Sequence, residues 1–291
     1  MNIKAQTITE LEALLPPRDA RSHKGLNGHA LLAVGCARYR GAALLAAKAC
    51  LRGGSGLTTV VTPTPVWQGF GVLPEAICIS TGTEDWDGNA CAAAAKELPG
   101  KQAVLIGCGV GQGNILPLIY DALAAKLPLV LDADALNQLA EATPPSQRGA
   151  CPAVLHENVI LTPHVGELAR LLGCSAAEIS ADLPGAAAAA AAKFQCVVLA
   201  KSAVSYIAFG DICYKSAFGN AGLAKGGSGD VLAGLVTALL AQGLAPFDAA
   251  RAGAFLLGAS ADRALAALGV RMLLASDVTD AMIMADVSGD G

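Results

Sequence analysis

Residues 224–234 read AKGGSGDVLAG, four glycines and one aspartate in eleven positions. Apolar residues and helix formers then continue to about Gln242. Glycine raises the entropy cost of ordering a segment. A chain that places GGSGD directly before a helix is therefore bringing backbone close to something else. Gly226, Gly227 and Gly229 let backbone N–H groups converge on one point. The helix that follows adds its unpaired N–H groups and the positive end of its dipole. Together they form a hole suited to phosphate, or to a phosphoryl group gaining charge. Asp230 is out of place there unless it has another task, because a carboxylate repels bound phosphate. One such task is to take a proton from a hydroxyl that attacks the phosphoryl group. The alternative is a helix cap beside a glycine-rich turn.

Outward from this stretch, short apolar runs alternate with alanine-rich periodic ones. HALLAVG (29–35), GLTTVVTP (56–63), AVLIGCGVG (103–111), PLVLDADAL (128–136), VILTPH (159–164), CVVLAK (196–201) and VSYIAFGD (204–211) read as strands, several running into turns. GAALLAAKACLRGG (41–54), GELARLLG (166–173) and Ala186–Ala192 read as helices. Continuous apolar strands between helices predict an α/β fold with a mainly parallel sheet and helices on both faces. EATPPSQRGACP (141–152) is expected to be a surface loop, because the same rhythm resumes after it. One domain over residues 1–291 follows.

Hydrophobic residues make up 54% and charged residues 15% of the chain, which excludes a disordered protein. The longest apolar helical run, VLAGLVTALLA, is about half of what a membrane span needs, so it predicts a buried helix. A net charge of −4 without a Lys/Arg block leaves no footprint for nucleic acid. The amino-terminal residues carry acids and no apolar core, unlike a secretory signal. Nine scattered cysteines without a C-x-x-C pair read as small buried hydrophobes in a reducing cytoplasm, with no disulfide framework or zinc site.

Ligands of open α/β sheets sit outside the carboxyl ends of strands. GCGVG (107–111) has neither dinucleotide-fingerprint nor P-loop spacing, and serves as a tight turn or a ligand contact. In DADALN (132–137) two carboxylates are placed to hold a metal or a phosphate-bound cation, or Asp134 caps a helix. His164 in LTPHVGE (161–167) falls in a loop, where a functional role competes with capping or turn packing. KSAVS (201–205) puts a charge and two hydroxyls between two strands, as a surface turn also would. GCGVG, DADALN, TPHVGE and GGSGD are expected along one edge of the sheet.

GNAGLAKGGSGDVLAGLVTALLAQGL resembles the signature of the ribokinase-like superfamily, in particular of its ADP-dependent NAD(P)H-hydrate dehydratases. HKGLNGHALLAVG, GAALLAAKACLRGGSGLTTV, LIGCGVG, LDADALNQLA, LTPHVGELARLL, KSAVSYIA and LLASDV follow the family's order, from about His23 to Asp280. The resemblance implies a three-layer α/β/α ribokinase-like fold. It also implies removal of water from the damaged cofactors NADHX and NADPHX, with ADP as phosphoryl donor and magnesium as cation. Asp230 matches the base that contacts the hydrate. Gly226, Gly227, Ser228 and Gly229 match the contact to the nucleotide phosphates, and Lys201, Ser202, Ala203, Val204 and Ser205 match a nucleotide-binding strand end. Ala43, Gly109 and His164 match hydrate-binding positions. A homotetramer is implied, as is a separate epimerase, for which this chain has no room.

The chain departs from the family at Leu26, Asn27, Cys108, Val165, Ser202, Val204, Ser205 and Lys225. Two rival readings stand beside the dehydratase. One is a vitamin-precursor kinase of the same superfamily. The other is an impaired nucleotide-binding protein, suggested by the loss of glycine at 202 and 204.

Overall fold

The computed structural model describes residues 2–18, 20–142 and 155–282. The segment expected to be a loop, 141–152, lies outside them from residue 143 on. Among the described residues ten strands form one sheet: β1 (Asn2–Ala5), β2 (His29–Ala33), β3 (Leu57–Thr62), β4 (Ile77–Ser80), β5 (Ala103–Ile106), β6 (Leu129–Leu131), β7 (Val159–Leu161), β8 (Val197–Ala200), β9 (Ser205–Phe209) and β10 (Ile212–Ser216). The helices are α1 (Ile8–Glu12), α2 (Arg40–Arg52), α3 (Thr64–Trp67), α4 (Gly88–Ala95), α5 (Leu116–Ala124), α6 (Asp134–Glu141), α7 (Val165–Leu172), α8 (Ala176–Ala181), α9 (Leu183–Phe194), α10 (Ser228–Ala241), α11 (Pro246–Leu268) and α12 (Ala275–Asp280).

The strand order is β1-β10-β9-β8-β7-β6-β5-β2-β3-β4. Every pairing from β8 to β4 is parallel. Only β9 runs against the others, as the middle strand between β8 and β10. From β2 the chain steps outward to β3 and β4. It then returns to β5 on the other flank of β2 and proceeds to β6, β7 and β8. The order thus reverses between β2 and β5, the place where an α/β sheet opens a crevice at its carboxyl edge.

Alternate strand residues feed two separate cores. Leu32, Leu105, Val130, Ile160 and Leu199 pack with α2, α10 and α11 on one face. Leu31, Ile106, Leu131, Leu161 and Val198 pack with α4 to α9 on the other. This is the expected three-layer arrangement, and it explains why the strands are apolar throughout rather than alternating. In α10 every residue from Val231 to Ala241 is buried, as VLAGLVTALLA predicts. Gly234 lets α10 cross α2 closely, since a Cβ there would lie 2.2 Å from the Ala46 carbonyl oxygen. Among the described residues no helix is long and apolar enough to cross a membrane. No disulfide joins the described cysteines, and most of them are buried.

Candidate active site

The site grows from three neighbouring strand ends. Asp132 immediately follows β6, Thr162 follows β7 and Lys201 follows β8. Asp132 is 2% exposed and accepts from Lys201 Nζ at 2.5 Å and from Thr162 Oγ1 at 2.7 Å, both on Oδ1. The Cys108 thiol, after β5, donates to Oδ2 at 3.5 Å. Burial alone pulls the Lys201 pKa down, but the Asp132 and Glu167 carboxylates outweigh it, so the ammonium stays charged. Burial first, and then Asp132, pushes the Cys108 thiol well up, so it remains protonated.

Ala133 links Asp132 to Asp134 with φ 49° and ψ −115°. Such a backbone state costs a non-glycine residue about 1–3 kcal/mol and is found where function requires it. Its effect is to send the two carboxylates to different partners. Asp134 does not cap α6, because the N-cap is Ala133. It is the first helical residue and accepts the Gly111 N–H at 2.7 Å, tying DADALN to GCGVG. Burial raises its pKa, and the Gly111 bond opposes the rise.

The glycine-rich turn approaches this cluster from the other side of the sheet. Gly227 is the N-cap of α10, with φ 97° and no side-chain cap. Asp230 lies in the first helical turn and caps nothing. Its carboxylate, the Cys108 sulfur and an Asp132 carboxylate oxygen lie within 4.8 Å of one another. Burial, with Asp132 next, pushes the Asp230 carboxyl up to about 6, against the opposing pull of Cys108 and Lys201. A Cβ on Gly229 would meet Lys201 Nζ at 3.3 Å, so the lysine borders the turn. The Ser228 hydroxyl is buried without a hydrogen-bond partner, a cost normally borne only where something else completes the bond.

The four motifs expected along one edge are therefore together. His164 turns out to be the N-cap of α7. Its Nδ1 accepts from the Gly166 and Glu167 N–H groups at 2.9 and 3.3 Å, and the Glu167 carboxylate accepts the His164 N–H at 2.8 Å. Lys201 forms a parallel bridge with His164, and its N–H donates to the Pro163 carbonyl at 2.8 Å. Glu167, buried beneath them, is raised to about 7 by burial, with Lys201 opposing. Gly109, at φ 64°, brings its turn against Ala42 and Tyr39 at the start of α2. Ala43 sits in the first turn of that helix with its side chain fully buried.

Sequence reasoning did not find the Asp132–Lys201 pair, Thr162 as its third member, or Glu167 as a buried acid. The strand-end aspartate and lysine were visible, but nothing in the sequence says that β6 and β8 flank β7.

The departures from the family pattern sort themselves by place. Among the described residues positive φ outside glycine occurs at Lys126, Ala133 and Gln195, so the turn at 202–204 does not need the lost glycines. The Ser205 hydroxyl closes that turn, donating to the Ser202 carbonyl at 3.3 Å and accepting its N–H at 3.4 Å. Ser202 and Ala203 are exposed. Lys225 neither enters nor blocks the phosphate turn; its Nζ donates to the Arg271 carbonyl at 2.6 Å. Leu26 and Asn27 precede β2, at the edge of the sheet opposite the crevice.

Magnesium takes oxygen ligands, commonly one or two carboxylates with substrate phosphates and water. Asp132 and Asp230 beside a phosphate-shaped turn match that donor set. The protonated thiol of Cys108 does not belong to it.

A profile described as NAD(P)H-hydrate dehydratase matches residues 30–283. The chain belongs to this family. It is 37% identical to the ADP-dependent (S)-NAD(P)H-hydrate dehydratase of Neisseria meningitidis, over 95% of this chain and 90% of that one. The crystal structure of the ADP/ATP-dependent NAD(P)H-hydrate dehydratase of Bacillus subtilis, co-crystallised with ATP and Mg2+, superposes with a TM-score of 0.84. The two share 34% identity, with 97% of each chain covered. A bifunctional NAD(P)H-hydrate repair enzyme of Moorella thermoacetica is 37% identical over 96% of this chain. Here the match takes in 53% of the relative, so the chain spans about half the length of the bifunctional family members.

Proposed function

We propose that this chain is an ADP-dependent (S)-NAD(P)H-hydrate dehydratase, working as one domain over residues 1–291. The observation that carries the reading is the position of Asp230. It is a carboxylate of raised proton affinity in the first turn of α10, beside an unpartnered Ser228 hydroxyl and the Lys201 ammonium.

The hydroxyl of the hydrate attacks the terminal phosphoryl group of ADP. An O–P bond forms, the bond to AMP breaks, and Asp230 takes the hydroxyl proton. At neutral pH a carboxyl titrating near 6 is ionised, yet it is a stronger base than an ordinary aspartate. The phosphate then leaves with the C–O electron pair, and loss of a ring proton restores the dihydronicotinamide. Gly226 to Gly229 bind the phosphates through backbone N–H groups and the helix end. Lys201 borders the same phosphates, and the turn from Ser202 to Ser205 receives the remainder of the nucleotide. Ala43, Gly109 and His164 line the hydrate's side of the crevice. Asp132 and Asp230 would hold magnesium, which supplies positive charge to the phosphates when bound.

The half-length match to bifunctional relatives supports a functional link to an NAD(P)HX epimerase. A cytoplasmic homotetramer remains part of the proposal, and native mass spectrometry reads the assembly.

The deciding experiment is recovery of NADH absorbance from NADHX, with and without ADP. ADP-dependent recovery with release of AMP and phosphate is expected. Phosphorylation of a vitamin alcohol from ATP, without NADHX turnover, would replace this reading with the kinase.

A further inference from the structure

Cys108 has no part in the phosphoryl chemistry, yet its sulfur stands where a cation would. Cys108 Sγ, an Asp132 carboxylate oxygen and an Asp230 carboxylate oxygen lie within 4.8 Å of one another. We propose that these three side chains form a site for a thiophilic divalent cation such as Zn2+, which competes with magnesium and silences Asp230 as a base. The silencing rests on the proposed function; the site itself does not.

Geometry speaks for a bound ion. Zinc holds sulfur at about 2.3 Å and carboxylate oxygen at about 2.0–2.2 Å, so a tetrahedral site sets the two donors about 3.5–3.7 Å apart. Cys108 Sγ and Asp132 Oδ2 are 3.5 Å apart. Oδ2 is also the available oxygen, because Lys201 and Thr162 both bond to Oδ1. The thiol lies within hydrogen-bond reach of Asp230 as well, so it stands between two carboxylates. Three protein ligands leave a fourth position open. The lack of a C-x-x-C pair is no obstacle. The donors come from the turn after β5, the residue after β6 and the first turn of α10, and the fold brings them together.

Charge decides which ion. As a zinc–sulfur bond forms, the S–H bond breaks, its electron pair stays on sulfur and the proton passes to solvent. The thiolate and two carboxylates then carry three negative charges, of which Lys201 cancels one. A dication cancels the other two. The cluster becomes neutral where Cys108 is 0% and Asp132 2% exposed, and where residual charge is costly. Magnesium takes oxygen ligands, so the thiol keeps its proton and one positive charge is left over. That surplus suits the phosphates of ADP, and the zinc form lacks it. A soft sulfur ligand selects zinc over magnesium in the same direction. Asp230 then gives the cation the lone pair with which it would take the hydroxyl proton. Cys108 is one of this chain's departures from the family pattern, so the site belongs to this chain and not to the family at large.

The test titrates Cd2+ and Co2+ into metal-free, nucleotide-free wild type, Cys108→Ala and Cys174→Ala, the last removing an exposed cysteine as a control. Wild type and Cys174→Ala should develop a sulfur-to-metal charge-transfer band that Zn2+ displaces, and Cys108→Ala should not. Calorimetry should find Zn2+ bound more than about 100-fold less tightly by Cys108→Ala, beyond the loss expected of a merely supporting contact. Cys108→Ser keeps the side chain's shape, should behave as the alanine variant does, and stands in for it if that variant does not fold. With magnesium saturating, Zn2+ should inhibit turnover of NADHX by wild type, and Cys108→Ala should require about 100-fold more for the same effect. No band in wild type, or the same band in Cys108→Ala, overturns the site. A band accompanied by undiminished turnover overturns the silencing of Asp230. If wild type with magnesium and ADP turns over no NADHX, the functional reading falls, and the band and the calorimetry still decide the site.

Discussion

Replacing Asp230 by asparagine should make the protein more stable and nearly inactive. The fold raises this carboxyl from 3.8 to about 6, chiefly by burial and then by Asp132. A shift of about two units corresponds to about 3 kcal/mol at 1.36 kcal/mol per unit. The sign follows from proton linkage. Between about pH 4 and pH 6 the folded state binds more protons at this site than the unfolded chain does. Stability from this group is therefore full below pH 4, falls as pH rises, and stays about 3 kcal/mol lower above pH 6. Asparagine carries no charge and escapes the loss. In metal-free and nucleotide-free protein the variant should gain only about 1 kcal/mol over wild type near pH 4.5 and progressively more toward pH 7.5. The gain there should be roughly 6 °C or more in Tm, taking about 2–4 °C per kcal/mol. Turnover of NADHX should drop by about 10²–10⁴, while ADP affinity measured without magnesium holds or improves because a negative charge beside phosphate is gone. A variant that keeps more than about a tenth of turnover removes the general-base role. A variant no more stable at pH 7.5, or equally stabilised at pH 4.5, would refute the electrostatic account of the site.

Lys201→Met leaves a 2%-exposed Asp132 with only Thr162 and Cys108, so urea unfolding should show a loss of about 3–5 kcal/mol at neutral pH. The double variant Asp132→Asn, Lys201→Met should recover a large part of that loss. Ser228→Ala removes a buried hydroxyl without a partner, so stability should hold or rise, while ADP affinity falls about 2- to 10-fold by calorimetry. Gly227→Ala must fit a Cβ at φ 97° and 2.5 Å from Leu45 Cδ1, so both Tm and ADP affinity should fall.

Much of the fold was legible because apolar periodicity is a local property. The strands around 29–35, 103–106, 159–161 and 197–200, the buried helix after GGSGD and the helix after His164 all announce themselves in windows of a few residues. The edge formed by β1 on β10 did not, since β1 lies near the chain's start and β10 far along it. The site divides in the same way. The glycine turn and Asp230 are contiguous, and their joint meaning can be read from five residues. The Asp132–Thr162–Lys201 set is spread over three strand ends, and its existence depends on sheet order. His164 was hidden for a different reason. A capping box is sought as Ser or Thr followed three residues later by Glu. Here the imidazole Nδ1 takes the hydroxyl's place, so the motif is complete without its usual first letter.

The charges of the site explain why stability and chemistry conflict in it. Asp132, Asp230 and buried Glu167 surround one lysine, and two of these three acids are displaced well above the usual carboxylate range. An all-carboxylate pocket would reject the phosphates of ADP. An all-cationic one would bind them but would lower the proton affinity of any base beside them. The arrangement separates these demands by geometry. Lys201 directs its charge mainly to Asp132, at 2.5 Å, and still borders Gly229, where the phosphate turn ends. The backbone N–H groups of α10 attract anions without carrying a titratable proton, so they bind phosphate while Asp230, in the same helical turn, keeps its affinity for a proton. Replacing the glycines by residues that close the turn would therefore harm binding before it harmed the base, and replacing Asp230 would do the reverse. That the two losses separate is what a phosphoryl acceptor site requires and what a simple helix cap would not produce.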